Sequence, residues 1–413
     1  MTPGDVDSGS FLAIVVVAAM SAVLAGLIAR RLVVPVVVLE LVLGIVIGPE
    51  VLGIAQNDPF ISFFSNLGLG MLFFFAGYEI DFDRIKGQPL KLAALGWLIS
   101  LVLAYALGGI LAALGIVLSL VFVGSAMATT AIGTLIPILR DANELRTRFG
   151  TYLLGAGAMG EFGPILLITL VFSTKSALSN AAILIAFIVL TVLTGVITVR
   201  SVGTGWDLVE RTLEASSQLA IRVTVVVVFA LAALAAELGL DLLLGGFVAG
   251  VILRLALRGR EVEVLESKLT AIGYGFLIPF FFVVSGINVN LSALTDDPIE
   301  FLKVPMFLAL FLIVRGAPAM LLYRKVLSAR DRTALAFFSA TELPLVVAIT
   351  TIAVEEGHMR SSTAASLIVA AICSTAIYPI VGLKLRGQRE GDEQESLGGS
   401  LGDPPDVVPV HSA

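Results

Sequence analysis

Two opposite charges lie where charge is least tolerated. Glu161 stands midway along the apolar stretch Tyr152–Phe172, and Arg315 stands midway along Phe307–Tyr323. A bilayer-crossing helix needs about 17–25 apolar residues, so each stretch qualifies. An ionised side chain at bilayer depth costs at least about 2.5–3.5 kcal/mol, and such residues mark ion or proton paths. Neither is close enough to an end to snorkel into water. Both are expected to face the protein interior, where they can meet. A third intramembrane ionisable group, Glu342, is a candidate accessory that can pair with Arg315, line a cation path or cap a helix. The chemistry such a site offers is exchange on one carboxylate: Glu161 can hold a proton or a monovalent cation, but not both. Burial and a nearby arginine act in opposite senses on a carboxylate, and their balance can bring its titration near neutrality.

The elements that must position these groups follow from composition. Hydrophobic residues make up 58% of the 413 residues and charged residues only 14%, whereas soluble domains carry about a quarter charged. This predicts an all-α integral membrane protein. Thirteen spans are read at about 11–29, 33–49, 60–78, 90–113, 116–139, 148–172, 179–199, 217–236, 240–256, 269–288, 304–323, 332–354 and 363–383. Lys and Arg crowd cytoplasmic loops, and the thirteen-span reading places 22 of the 26 basic residues on one side. Lys175, Lys303 and Arg360 fall on the other, and Arg315 lies within the membrane. The expected topology is therefore a multi-pass cell-membrane protein with the N-terminus outside and the C-terminus cytoplasmic. The first ten residues hold Asp5 and Asp7 but no Lys or Arg, so the first apolar run is read as a retained span rather than a cleaved leader. Residues 1–386 form the transmembrane domain, and 387–413 are expected to be a disordered cytoplasmic tail. The net charge of −6 argues against nucleic acid, and the single cysteine, Cys373, excludes an intramolecular disulfide and a cysteine-based metal site.

The chain also resembles itself. Leu41–Ile47 reads like Phe247–Leu253; Phe73–Phe75 with Gly77 and Glu79 reads like Phe280–Phe282 with Gly286 and Asn288; Ala128-Thr129-Thr130 reads like Ala340-Thr341-Glu342. The aligned small residues are 206, 209 and 212 positions apart, or seven spans. An odd number of spans inverts one copy relative to the other, an arrangement typical of secondary transporters, whose site lies at the midplane between the halves. The third match places Pro137 and Pro344 in spans 5 and 12. Proline removes a backbone donor and clashes with the preceding turn, so both spans are expected to be interrupted, freeing carbonyls that suit a cation.

These residues resemble the monovalent cation:proton antiporter-2 family, which includes Kef-type potassium efflux proteins. The resemblance covers most of Phe11–Leu385 and is carried by Gly44–Pro49, by Gly68–Asp81, by Ala128–Ala131 and by the run from Gly273 through Pro279 to Phe282. It implies a homodimer in which spans 4–6 and 11–13 form a moving core and spans 1–3 and 8–10 a dimer scaffold. The interrupted helices would cross at the ion site. The ion-binding carboxylate would be Glu161, the basic residue of span 11 Arg315, and the span-5 threonines Thr129 and Thr130. The family usually carries two aspartates, or Asn-Asp or Gln-Asp, at the span-6 site; here the pair is Gly160-Glu161.

On this reading the substrates are H⁺ and Na⁺ or K⁺, exchanged by alternating access. Hydroxyls of Thr129 and Thr130 would help complete an oxygen shell, and Arg315 would act as counter-ion to Glu161 or as a structural anchor. One carboxylate serving both ions predicts electroneutral exchange, with no cofactor, no resident metal and no enzymatic activity. Glu40 and Glu79 read as structural or entrance residues. A gated potassium efflux pathway and a non-transporting sensor that kept the fold stay open as alternatives. Gly155-Ala-Gly157-Ala-Met-Gly160 matches a dinucleotide fingerprint letter for letter, but lies inside a membrane helix with no strand before it, so helix packing is the reading.

Overall fold

The computed structural model describes residues 7–28, 35–80, 85–171, 189, 193, 218–237, 242–257, 263–295 and 298–398. In chain order the helices are α1 (Ser8–Ile28), α2 (Val36–Ile47), α3 (Pro59–Tyr78), α4 (Gln88–Ala113), α5 (Leu120–Met127), α6 (Ile132–Asp141), α7 (Arg148–Val171), α8 (Leu219–Glu237) and α9 (Leu242–Ala256). They continue with α10 (Glu263–Ile272), α11 (Ile278–Ile287), α12 (Ser292–Thr295), α13 (Pro298–Leu322), α14 (Ala329–Ser339), α15 (Pro344–Glu355) and α16 (Ser361–Gly398). A π-helical turn, Gly273–Leu277, joins α10 to α11.

Twelve of the thirteen expected spans coincide with described helix; the seventh, 179–199, lies outside the described residues. Seven described stretches are long and apolar enough to cross a bilayer alone. The last helix runs on to Gly398, so 387–398 is helical rather than without structure, while 399–413 lie outside the described residues. Gln, Glu and Arg, which dominate 388–395, are strong helix formers that continue a helix already nucleated upstream.

The interruptions are present, and their local causes differ. In the second, Leu343 adopts φ −155° and ψ −66° before Pro344, which starts α15. Proline disfavours the α region for its predecessor and is tolerated at a helix start. In the first, the chain leaves the helix at 128–131, and Pro137 lies inside α6. The proline explanation therefore fails for span 5. The two β-branched threonines act there instead: Thr129 Oγ1 donates to Ala126 O at 3.0 Å, and Thr130 Oγ1 donates out of the segment to Ser339 O at 2.6 Å. Such side-chain bonds compete with helix continuation.

The repeat is visible in packing. An added Cβ at Gly44 (α2) would strike the Val283 carbonyl of α11, and one at Gly286 (α11) would strike Leu41 of α2. An added Cβ at Gly250 (α9) would strike Phe74 of α3, and one at Gly77 (α3) would strike Phe247 of α9. The α2–α11 contact is thus repeated as α9–α3 by the residues that the sequence aligned, Gly44 with Gly250 and Gly77 with Gly286. Small residues let the backbones approach where lipid offers no hydrophobic drive.

One end of the bundle is clasped by charge. Arg386 (α16) donates to both Glu144 oxygens at 2.7 and 3.0 Å and to Asp331 in the first turn of α14, and its guanidinium lies 4.6 Å from the Phe149 ring. All three ionised side chains are buried. Removing one partner of a buried pair costs about 3–5 kcal/mol because a lone charge remains. Arg386→Met is therefore expected to lower the unfolding temperature in detergent, and adding Glu144→Leu and Asp331→Asn should recover part of the loss.

Candidate functional site

The two interrupted segments meet. Ala131 N donates to Thr341 O at 2.8 Å, and Thr130 N donates to Gly160 O at 3.0 Å, which ties the first break to α7 one residue before Glu161. Glu161 is 2% exposed, and its Oε2 has no hydrogen-bond partner among the described residues. The backbone N–H of Gly133, in the first turn of α6, acts on its carboxylate. A helix N-terminus offers backbone amides that have no partner within the helix.

Arg315 does not pair with Glu161. Its Nε donates to Thr130 Oγ1 at 2.9 Å and Ser339 O at 3.4 Å, Nη1 to Ser100 Oγ at 3.2 Å, and Nη2 to Ala156 O at 3.1 Å. It makes no ion pair within 4.0 Å among the described residues. The arginine sits at the C-terminal end of α14, where free carbonyls and the negative end of the helix dipole favour a cation. It joins α4, α7, α13, α14 and the first break. The acid that acts on it is Glu342.

Glu342 is completely buried in the second break. Its main chain is held by α16: Ser374 Oγ accepts from Glu342 N at 3.0 Å, and Ser374 Oγ and Thr375 Oγ1 donate to Glu342 O at 3.1 and 3.3 Å. Both carboxylate oxygens have no hydrogen-bond partner among the described residues. Thr129 faces this carboxylate, although its own proton goes to Ala126 O.

The odd glycine of Gly160-Glu161 has a geometric reason. A Cβ there would lie 2.5 Å from Arg315 Nη2 and 2.6 Å from Thr130 Oγ1. The space a second polar side chain would need is filled by the arginine–threonine pair. Thr130 is committed to that pair, giving its proton to Ser339 and accepting from Arg315.

A residue read as structural or entrance belongs to the site. Glu79, at the C-terminal end of α3, is the charged side chain that acts on Glu161, and its Oε2 is enclosed without a partner among the described residues. It lines a cavity of about 480 Å³ together with Tyr78, Arg140, Arg254, Glu266 and Thr270. A second void of about 10 Å³, near the size of one water, is lined by Glu79 together with Ile132 and Ala158, the last one turn before Glu161. The sequence signal was an acid ending an apolar span; what it faces is decided by packing.

The model of the transmembrane sodium/hydrogen exchanger family matches residues 19–382. The chain belongs to this family. Among curated relatives, this exchanger-family chain is 26% identical over 384 residues to a putative Na⁺/H⁺ antiporter, YjbQ, of Bacillus subtilis, covering 88% of the chain. It spans only 61% of that relative's length. It is 28% identical over 294 residues to the Na⁺/H⁺-K⁺ antiporter GerN of Bacillus cereus, covering 67% of this chain and 71% of that one. Among solved structures, the sodium proton antiporter MjNhaP1 of Methanocaldococcus jannaschii superposes with a TM-score of 0.61 at 16% identity, covering 91% of this chain and 98% of that one. That likeness supports the exchanger fold.

Proposed function

We propose that the protein is a secondary active antiporter, not an enzyme, that exchanges Na⁺ or K⁺ for H⁺ by alternating access. The observation that carries this reading is Glu161: a fully buried carboxylate with one unpartnered oxygen, set where two interrupted helices meet. A cavity of about 480 Å³ reaches Glu79, the acid that acts on Glu161. Glu161 binds a proton or a cation in turn, with Thr129 and main-chain oxygens of the breaks as candidate further ligands. Thr130 and Arg315 hold the breaks together, and Arg315 balances Glu342 rather than Glu161. α4–α7 and α13–α16 form the moving core, and α1–α3 with α8–α11 form the scaffold of a homodimer. Arg140 and Arg254 line the cavity and belong to the side rich in basic residues, which supports the reading of a cytoplasm-facing state of a cell-membrane protein with its N-terminus outside.

One carboxylate serving two ions makes the exchange one-for-one. In proteoliposomes loaded with a pH dye, Na⁺ or K⁺ pulses are expected to drive stoichiometric proton movement. An imposed potential should leave the rate unchanged, whereas a cycle moving net charge would feel roughly 2.3 kcal/mol per charge per 100 mV. Cation flux without proton movement would favour a gated pathway, and no flux at any pH a sensor.

A further inference from the structure

The helix that closes the cavity from the scaffold side changes register beside the carboxylates. Gly273–Leu277 is π-helical within an otherwise α-helical segment. Single π turns are rare and occur mostly at functional sites, because the extra residue re-aims the side chains around it. The residue re-aimed here is Tyr274. Its ring packs on Phe75 of α3, with centroids 5.0 Å apart. A Cβ on Gly273 would strike that same Phe75 ring, so the glycine lets the π turn lie against α3.

The Tyr274 hydroxyl is enclosed, yet it has no hydrogen-bond partner among the described residues. A buried tyrosine hydroxyl ordinarily finds one. The ionisable side chains acting on it are Glu79, Glu161 and Arg140. Glu79 Oε2 and Glu161 Oε2 are likewise enclosed and unpartnered. Three buried oxygens, from α3, α7 and the π turn, therefore lack partners in one neighbourhood: Tyr274 packs on Phe75, one turn before Glu79, and Glu79 shares a small void with Ala158, one turn before Glu161. Two carboxylates and a phenol form an all-oxygen set, which suits a hard cation. The phenol alone can also donate a proton to either carboxylate when no cation is bound.

We propose that Tyr274 is a cation-binding residue of the exchange site: its hydroxyl is the scaffold's neutral oxygen ligand to the monovalent cation held by Glu161, placed there by the π turn. The inference rests on the exchange reading and adds to it a ligand from outside the interrupted helices. No covalent step is involved; the hydroxyl turns between accepting the cation through its oxygen and donating its proton to a carboxylate.

The test is Tyr274→Phe, which keeps the ring against Phe75 and removes one oxygen. Cation KM is read from proton flux in vesicles with Na⁺ and K⁺. Affinity is read separately from the cation concentration that half-maximally raises the unfolding temperature in detergent. Losing one hydrogen-bonding ligand is expected to raise both by about five- to ten-fold. A residue that only packs would move neither, so wild-type values in both readouts overturn the proposal. Where the Phe variant does not fold, Tyr274→Met, a flexible apolar filler, gives the same comparison. Glu161→Gln is measured alongside. If it exchanges like wild type, the exchange reading itself falls. If it is inactive while Tyr274→Phe is unchanged, only the role of Tyr274 falls.

Discussion

Glu161→Gln abolishes exchange at every pH, with proton flux falling to that of protein-free vesicles, while the protein folds at least as stably as wild type. The two halves of this expected result have one cause. Glutamine keeps the shape of the side chain and can still accept from Gly133, whose amide acts on the wild-type carboxylate. It cannot take up and release a proton, and it cannot balance a cation. Function is lost because the exchanged charge is gone. Stability is kept or gained because Glu161 is a buried carboxylate with an unpartnered oxygen, and leaving such a group unsatisfied costs about 1–3 kcal/mol or more for a charged one. A site that holds charge for function violates folding economy, and its neutralisation should raise the unfolding temperature. Glu161→Asp retains the charge and withdraws it by one methylene. Misplacing a reacting group by about 1 Å can cost about 100-fold, so a slow but measurable exchange is expected. Flux and unfolding temperature, measured on the same preparations, decide the matter. Wild-type flux from the Gln variant would remove Glu161 from the mechanism.

Arg315→Met is expected to have the opposite signature, with flux and stability lost together. The guanidinium reaches two hydroxyls and two main-chain carbonyls across four other parts of the chain. Without it, Ser339 O and Ala156 O lose their arginine donors and Glu342 loses the positive charge that balances it. Stranding a buried hydrogen-bonding group costs about 1–3 kcal/mol, and two carbonyls and an acid each lose a partner, together a large part of the stability of most domains. Arg315→Lys should rescue poorly, since a compact ammonium cannot reproduce a planar fork of five donors. Arg315→Met combined with Glu342→Gln should be more stable than Arg315→Met alone, because the uncompensated acid is removed with its partner. A double-mutant cycle on unfolding temperature measures this coupling. Equal stability of the single and double variants would show that Arg315 and Glu342 do not compensate each other.

The one-dimensional pattern of hydropathy determined much about this protein by itself. It located twelve apolar stretches that coincide with described helix, because burying backbone in lipid demands helices and about 20 apolar residues for each. It located Glu161 and Arg315 at depth, since depth is simply position along a span. It also located both interruptions, the second through its true cause, Pro344, and the first at Ala128-Thr129-Thr130 although Pro137, its expected cause, lies inside α6, and the repeat that pairs Gly44 with Gly250 and Gly77 with Gly286. What it could not determine was azimuth: which way each side chain points around its helix, and what comes to meet it from segments up to two hundred residues away. The tertiary structure alone turned Arg315 from Glu161 toward the end of α14 and Glu342, brought Glu79 to Glu161, filled the space beside Gly160 with Arg315 and Thr130, and aimed Tyr274 inward through a π turn. Hydropathy is a property of one helix read against lipid, whereas a binding site is a property of several helices read against one another.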